Sequence, residues 1–117
     1  MKEIIRQESN IRMSQSVTAN GFIFLAGQVA DNLAGDIKSQ TKCVLSKIEM
    51  LLEKSDFNKS DLIDIKIYIK NSDDFNSMNE VYEEWLGGKD QPARLCLLSV
   101  FPNPEYLVEI QAIAAKV

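Results

Sequence analysis

The fold is decided by the stretch IDIKIYIKNSDDFNSMNEVYEEWLGG, which spans residues 63–88. Its first eight residues alternate isoleucine with polar side chains, the period-two pattern of a strand with one buried face. Residues 71–74 then offer several helix caps, and apolar side chains recur after them at helical spacing until Gly87-Gly88 ends the helix. The side chains predicted to face the core are Ile63, Ile65, Ile67 and Ile69 in the strand and Phe75, Met78, Tyr82, Trp85 and Leu86 in the helix.

Upstream of this unit, the sequence predicts a hairpin and a longer helix. Residues 16–26 form two strands around Asn20-Gly21, because both residues tolerate the positive φ of a tight turn. The second strand, residues 22–26, is apolar on both faces, so it lies either inside a covered sheet or in a subunit contact. Residues 2–7 are a candidate first strand, residues 29–35 a loop, and residues 36–54 an amphipathic helix with Asp36 near its N-cap.

Downstream, residues 93–100 and 107–115 form two more strands. The predicted order is therefore strands, helix, strand, helix, strands, and helices of this kind need a sheet face to cover. Hairpins imply antiparallel neighbours and the helical connections allow parallel ones. The sequence predicts an α+β fold in which two helices cover a mixed β-sheet as a two-layer sandwich, with residues 1–117 as a single domain.

The overall composition excludes several classes of function. Lys and Arg number 13 against 17 Asp and Glu, a net charge of -4, whereas nucleic-acid binding requires clustered basic residues. No segment approaches the length of a membrane span, and residues 1–10 lack the apolar stretch of a signal peptide. We therefore expect no nucleic-acid partner, no membrane association and a cytoplasmic location.

The complete absence of histidine narrows the possible chemistry further. It removes Ser-His and Cys-His nucleophile pairs and histidine acid–base catalysis. Cys43 and Cys96 form no CxxC pair, and two thiols with scattered carboxylates are a poor zinc ligand set. No metal site is expected, and both cysteines are interpreted as small buried hydrophobic residues.

Two charged residues in apolar strands are the main candidates for a site. Arg94 begins the strand that continues as Leu95-Cys96-Leu97-Leu98, and its planar fork either pairs with an internal carboxylate or binds the carboxylate of a ligand. Glu109 lies in the apolar strand 107–113, where it either neutralises Arg94 or holds a water against a ligand bound there. Spacing alone leaves both alternatives open. The aromatic stripe of the second helix is assigned to the core, and Gly27 after an apolar strand indicates only an ordinary turn.

In combination, these residues resemble the RidA/YjgF family. The resemblance extends from about residue 13 to residue 115, and the Pro-Ala-Arg triplet followed by Glu-Ile-x-Ala-Ile-Ala is its most specific part. The motifs that carry it are Ala26-Gly27-Gln28, Asp74-Phe75 with Asn79 and Tyr82, Pro92-Ala93-Arg94-Leu95-Cys96, and residues 108–114, VEIQAIA.

The resemblance implies a chorismate-mutase-like fold, a homotrimer with active sites between subunits, and no cofactor. It implies an enamine/imine deaminase of metabolite damage control, a hydrolase that converts 2-imino acids such as 2-iminobutanoate or 2-iminopropanoate to 2-keto acids and ammonia. Arg94 would hold the substrate carboxylate and Glu109 would position or activate the attacking water. The substrate-binding residues would be Arg94, Gly27, Cys96, Met13 and Asn79.

Three positions depart from the family pattern. Met13 replaces a tyrosine that reaches across the subunit interface in many deaminating members, Ala26 replaces a common serine, and Gln91 replaces a frequent aromatic residue. Arg12-Met13-Ser14 is typical of a divergent branch. The missing hydroxyls favour an alternative, a non-catalytic homotrimer that binds a small carboxylate metabolite and regulates another enzyme. Ribonuclease activity, a label attached to part of the family, is disfavoured by the charge and by the lack of histidine.

Overall fold

The computed structural model describes residues 3–117 and contains one mixed sheet with two helices. The hairpin, both helices and the last two strands agree with the sequence-based prediction to within a few residues. The first strand begins at Ile5, and Lys2 of the predicted strand 2–7 lies outside the described residues. The elements are β1 (Ile5–Ser9), β2 (Ser14–Ala19), β3 (Phe22–Leu25), α1 (Ile37–Lys54), β4 (Leu62–Ile69), α2 (Phe75–Leu86), β5 (Ala93–Leu98) and β6 (Val108–Ala115).

The six strands lie in the order β1-β2-β3-β6-β4-β5. β4 and β5 are parallel because α2 connects them, and the other neighbours are antiparallel. Both helices bury their apolar sides against the sheet, so the predicted two-layer α+β sandwich with a mixed sheet is confirmed. No helix among residues 3–117 is long and apolar enough to cross a membrane.

Local signals explain where the elements begin and end. Asp36 caps α1, accepting a hydrogen bond from the Ser39 backbone N–H at 2.9 Å. Asn20 and Gly21 have φ values of 52° and 83°, as a tight hairpin turn requires. Gly87 ends α2 in the left-handed conformation with φ 85°. These boundaries were predictable because each depends on residues next to it in the chain.

Two core predictions were wrong. A register irregularity in β4 between Leu62 and Asp64 buries Leu62 and leaves Ile63 43% exposed, so Ile63 does not share the buried face of Ile65. In α2 the first residue, Phe75, is exposed, and Val81 is buried in its place beside Met78 and Tyr82. Phe75 lines an open groove near the end of β5, where Leu98 is also exposed.

The face of the sheet opposite the helices carries a band of exposed apolar side chains. β3 presents Phe22 and Phe24 there, and β5 presents Leu95 and Leu97, which pair in register with Lys66 and Tyr68. We call this surface the open face. Because β3 is apolar on both sides, it was expected to lie either inside a covered sheet or in a subunit contact. Within one chain β3 is covered on one side only, so the first alternative is not met.

Candidate active site

Arg94 lies at the start of β5 on the helix-covered face, because it pairs in register with the buried Ile65. Its Nη2 donates a hydrogen bond to Oδ1 of Asn79 at 2.6 Å, and its Cζ lies 4.8 Å from the ring centroid of Tyr82. One edge of the Arg94 guanidinium is therefore held by the neutral amide of Asn79, and one of its flat faces lies near the aromatic ring of Tyr82.

None of the described residues forms an ion pair with Arg94, whereas four lysines within residues 3–117 pair with carboxylates. The internal salt bridge that the sequence left open is thus absent within residues 3–117. The guanidinium of Arg94 has five N–H donors, and Asn79 occupies only part of them. The half-buried cation keeps donors and a full charge available for a carboxylate.

Cys96 follows two residues later on the same strand and the same face. Cys96 and Cys43 are both half-buried and both pack against the core. The prediction that both cysteines are small buried hydrophobic residues is therefore approximately right. Burial raises the pKa of the Cys96 thiol, and the nearby Arg94 charge only partly opposes that shift. The thiol is therefore neutral at physiological pH, which suits a pocket wall and not a nucleophile.

Glu109 lies on the other face of the sheet, in register with Tyr68. Its carboxylate rests on the backbone of Gly27, where an added Cβ would overlap Oε2. Burial raises the pKa of the Glu109 carboxyl. A half-buried carboxyl whose pKa is raised above its ordinary value is suited to exchange a proton with a bound water.

Arg94 and Glu109 cannot meet within one chain. Arg94 aligns with Ile65 of β4 and Glu109 with Tyr68, three residues away, and β4 separates β5 from β6. Three residues of strand span roughly 10 Å, two strand spacings add a similar distance, and the side chains leave opposite faces. A small ligand that contacts both groups needs Arg94 from one chain and Glu109 from another.

The predicted site residues therefore form two groups. Arg94, Asn79 and Cys96 make the first group, and Gly27 and Glu109 make the second. Met13 is 48% exposed, and its Sδ accepts from Nε2 of Gln15 at 3.9 Å. The Gln15 Oε1 accepts in turn from Nε2 of Gln28 at 2.9 Å. Gln28 is buried and pairs with Ile110, on the face opposite Glu109, so Met13 belongs to neither group by its described contacts.

Tyr82 was assigned to the core and its place beneath Arg94 was not predicted. It is buried, as expected, but its ring also contacts the guanidinium. The signal that was available is the spacing of Asn79 and Tyr82, which lie three apart on one helix face. Among residues 3–117, no cluster of three or more cysteine, aspartate and glutamate side chains is placed to hold a metal ion.

Comparison with known proteins finds relatives that match nearly the whole chain. Residues 5–116 match the model of the endoribonuclease L-PSP family. A RutC family protein of Pyrococcus horikoshii is 39% identical, with 99% of each chain covered. YoaB of Escherichia coli, also a RutC family protein, is 34% identical, with 96% of this chain and 97% of YoaB covered.

The fold is shared as well as the sequence. The crystal structure of a YjgF family protein from Neisseria meningitidis superposes with a TM-score of 0.93 at 34% identity, covering 98% of this chain and 96% of that one. The chorismate-mutase-like α+β fold that the resemblance implies is confirmed by this agreement.

Proposed function

Because the chain belongs to the RidA/YjgF family, we propose that it hydrolyses reactive 2-enamino and 2-imino acids to 2-keto acids and ammonia, at sites formed between the subunits of a homotrimer. The enzyme would be a deaminase-like hydrolase of metabolite damage control, acting in the cytoplasm on intermediates such as 2-aminoacrylate. No cofactor is needed for the chemistry proposed below.

The observation that carries the proposal is the environment of Arg94. Its charge meets an amide and an aromatic ring and no described acid of the same chain. Holding an unpaired cation partly out of water costs free energy, and an incoming carboxylate recovers it with two parallel hydrogen bonds. A 2-imino acid carries its carboxylate next to the reacting carbon, so binding at Arg94 also orients that carbon.

The chemistry requires little beyond positioning and one proton acceptor. An enamine first tautomerises to the imine, and water then adds to C2 as the imine nitrogen takes a proton. Glu109, with its raised pKa, accepts the proton that this water loses, which gives a carbinolamine, and returns it to the amino nitrogen. The carbinolamine hydroxyl then gives its proton to the Glu109 carboxylate as the C–N bond breaks, so that ammonia leaves and the 2-keto acid forms. That proton passes to solvent, which supplied the one taken up by the imine. A protonated imine is already electrophilic, so orientation and charge complementarity supply much of the rate.

The open face supports assembly into an oligomer. Phe22 and Phe24 on β3, and Leu95 and Leu97 on β5, form two exposed apolar patches with β6 and β4 between them. Exposed apolar surface of this kind marks subunit contacts. Covering it in a homotrimer would bring another chain against each sheet. Such a contact is also the way to bring Glu109 of one chain near Arg94 of another.

The test is a direct assay of imine hydrolysis. Serine and a dehydratase generate 2-aminoacrylate, and pyruvate release is followed with wild type, Arg94→Ala and buffer. We expect faster release with wild type alone and an unchanged oligomer for the variant. Full activity in Arg94→Ala would contradict the role of the guanidinium, and a wild type no faster than buffer would contradict hydrolysis of this substrate.

A second function is favoured by Met13 and Ala26, which lack the hydroxyls found in many deaminating members. Met13 contacts Gln15 through its sulfur, a weak acceptor that cannot donate a proton. The alternative is a non-catalytic homotrimer that binds a small carboxylate metabolite and regulates another enzyme. Binding of a 2-keto acid without hydrolysis of any imine would favour this alternative, and rapid turnover would exclude it as the sole role.

A further inference from the structure

A groove of about 310 Å³ lies beyond Cys96, at the end of β5 away from Arg94. We call it the apolar groove. Phe75 and Leu98 are exposed in it, although both are large hydrophobic residues. No charged side chain lines it, and its walls are Ile69, Ser72, Phe75, Cys96, Leu97 and Leu98.

The apolar groove is aligned with the carboxylate site. Arg94, Cys96 and Leu98 project from the same face of β5, because they pair with Ile65, Ile67 and Ile69 in turn. Helix α2 runs antiparallel to this strand, placing Asn79 beside Arg94 and Phe75, one turn earlier, beside the groove. A ligand anchored at Arg94 that extends along β5 therefore passes Cys96 and reaches Phe75.

The opposite direction from Arg94 is less suited to an apolar group. The groove there, of about 360 Å³, has polar walls at Glu83, Gln91 and Arg94 itself, and its other walls are Tyr82, Leu86, Gly88 and Pro92. Desolvating the Glu83 carboxylate under an apolar side chain would be unfavourable, and its charge would repel an anionic ligand. The two sides of Arg94 thus differ in chemistry, and one of them accepts hydrocarbon.

We propose that the apolar groove is the side-chain subsite of the carboxylate site, and that the chain prefers 2-imino and 2-oxo acids with long or branched apolar side chains over three-carbon acids. This inference rests on the proposed function, which places the ligand carboxylate at Arg94. The strand from Arg94 to Leu98 spans roughly 13 Å, so a three-carbon acid held at Arg94 ends near Cys96. A six-carbon branched acid reaches the wall formed by Phe75.

The test measures binding, so that it does not depend on turnover. Calorimetry compares pyruvate with 4-methyl-2-oxopentanoate on the purified full-length protein. We expect roughly tenfold tighter binding of the longer acid, since it buries about three additional carbon groups against an open apolar wall. Ser72→Leu fills the groove and should abolish the preference while pyruvate affinity is unchanged. Phe75→Ala, which removes a wall, should lower affinity for the longer acid only.

Met50→Ala is the matched control, because Met50 is also an exposed hydrophobic residue of a helix but lies on α1, away from β5. It should leave both affinities unchanged. Equal affinities for the two acids, or no binding of either, would overturn the subsite. A preference that persists in Ser72→Leu would also overturn it.

The imine assay separates this inference from the proposed function. Binding preference without hydrolysis of any imine would remove the deaminase activity and leave the subsite standing. Hydrolysis with the same kcat/KM for the imines derived from alanine and leucine would leave the activity and remove the subsite. Imines of both amino acids are supplied by an amino-acid oxidase in the presence of catalase.

Discussion

The carboxylate of Glu109 rests on the backbone of Gly27, in the space that a Cβ would occupy. Gly27→Ala should therefore displace Glu109 while leaving Arg94 untouched. We expect kcat for imine hydrolysis to fall roughly tenfold to a hundredfold, because a displacement of about 1 Å at a reacting group has an effect of that size. KM should change little, since the carboxylate anchor is intact.

Steady-state kinetics of Gly27→Ala, Glu109→Gln and the double variant form a cycle that tests this relationship. If Gly27 acts only through Glu109, alanine should cause no additional loss in the Glu109→Gln background. A full additional loss would show that Gly27 contacts the substrate itself.

Asn79 and Tyr82 hold the guanidinium of Arg94, so their loss should weaken substrate binding more than turnover. Asn79→Ala removes a hydrogen bond to a charged group, and we expect KM to rise about tenfold with kcat less affected. Asn79→Asp should be more severe, because the new carboxylate pairs with Arg94 and competes with the ligand. Tyr82→Phe keeps the ring beside the guanidinium and is the control, whereas Tyr82→Leu removes it.

A kcat that falls while KM stays constant in Asn79→Ala would argue against this positioning role. An equal loss of substrate affinity in Tyr82→Phe and Tyr82→Leu would show that the hydroxyl matters and the aromatic face does not.

The raised pKa of Glu109 predicts an acid limb in the pH profile of kcat. A base must be deprotonated, so activity should decline as pH falls through a pKa above the ordinary value for glutamate. The same pKa shift affects the stability of the fold in the opposite direction: activity falls at low pH, whereas stability rises. Because the folded state favours the protonated form, the free energy of unfolding gains a contribution at low pH that disappears as pH rises through the folded pKa.

Replacing Glu109 with Gln removes both effects. Any residual activity of the variant should lack the acid limb. In thermal unfolding, the variant should be at least as stable as wild type near pH 7, and this difference in stability should shrink towards acid pH. An unchanged acid limb in Glu109→Gln would assign that titration to another group.

Sites shared between chains can be detected by mixing two inactive variants. Arg94→Ala and Glu109→Gln chains, co-expressed with different affinity tags and purified through both, should regain activity in sites that take Arg94 from one chain and Glu109 from the other. Every trimer that contains both kinds of chain has one such site among its three, so purification through both tags should leave about a third of the sites restored. Activity no greater than that of each variant alone would show that the site lies within one chain or does not use both residues.

The open face provides a matched test of the assembly itself. Phe24→Asp should dissociate the oligomer and abolish activity, because Phe24 is 45% exposed on the surface proposed to be covered. Met50→Asp is the control, since Met50 is 54% exposed on the helical side. Light scattering measures mass, and circular dichroism checks folding. An intact, active oligomer in Phe24→Asp would exclude the open face as the contact.

Much of the fold was predictable because its signals are local. The alternation in β4, the helical spacing in α2 and the turn at Asn20-Gly21 depend on neighbouring residues, and so do the caps at Asp36 and Gly87. Ile63 was misplaced because a one-residue irregularity at the start of a strand reverses the facing of the side chain, and the alternating pattern does not mark where the irregularity falls.

The sequence by itself determined the elements, the α+β class and the presence of a cation and a carboxylate in apolar strands, since each follows from the repeat period of nearby side chains. The tertiary structure alone decided what those charges contact. It placed Asn79 and Tyr82 around Arg94, Gly27 beneath Glu109, and β4 between the two strands that carry the charges. The physical reason is that strand order and register are set by packing between distant segments, and these decide on which face, and beside which partner, each side chain lies.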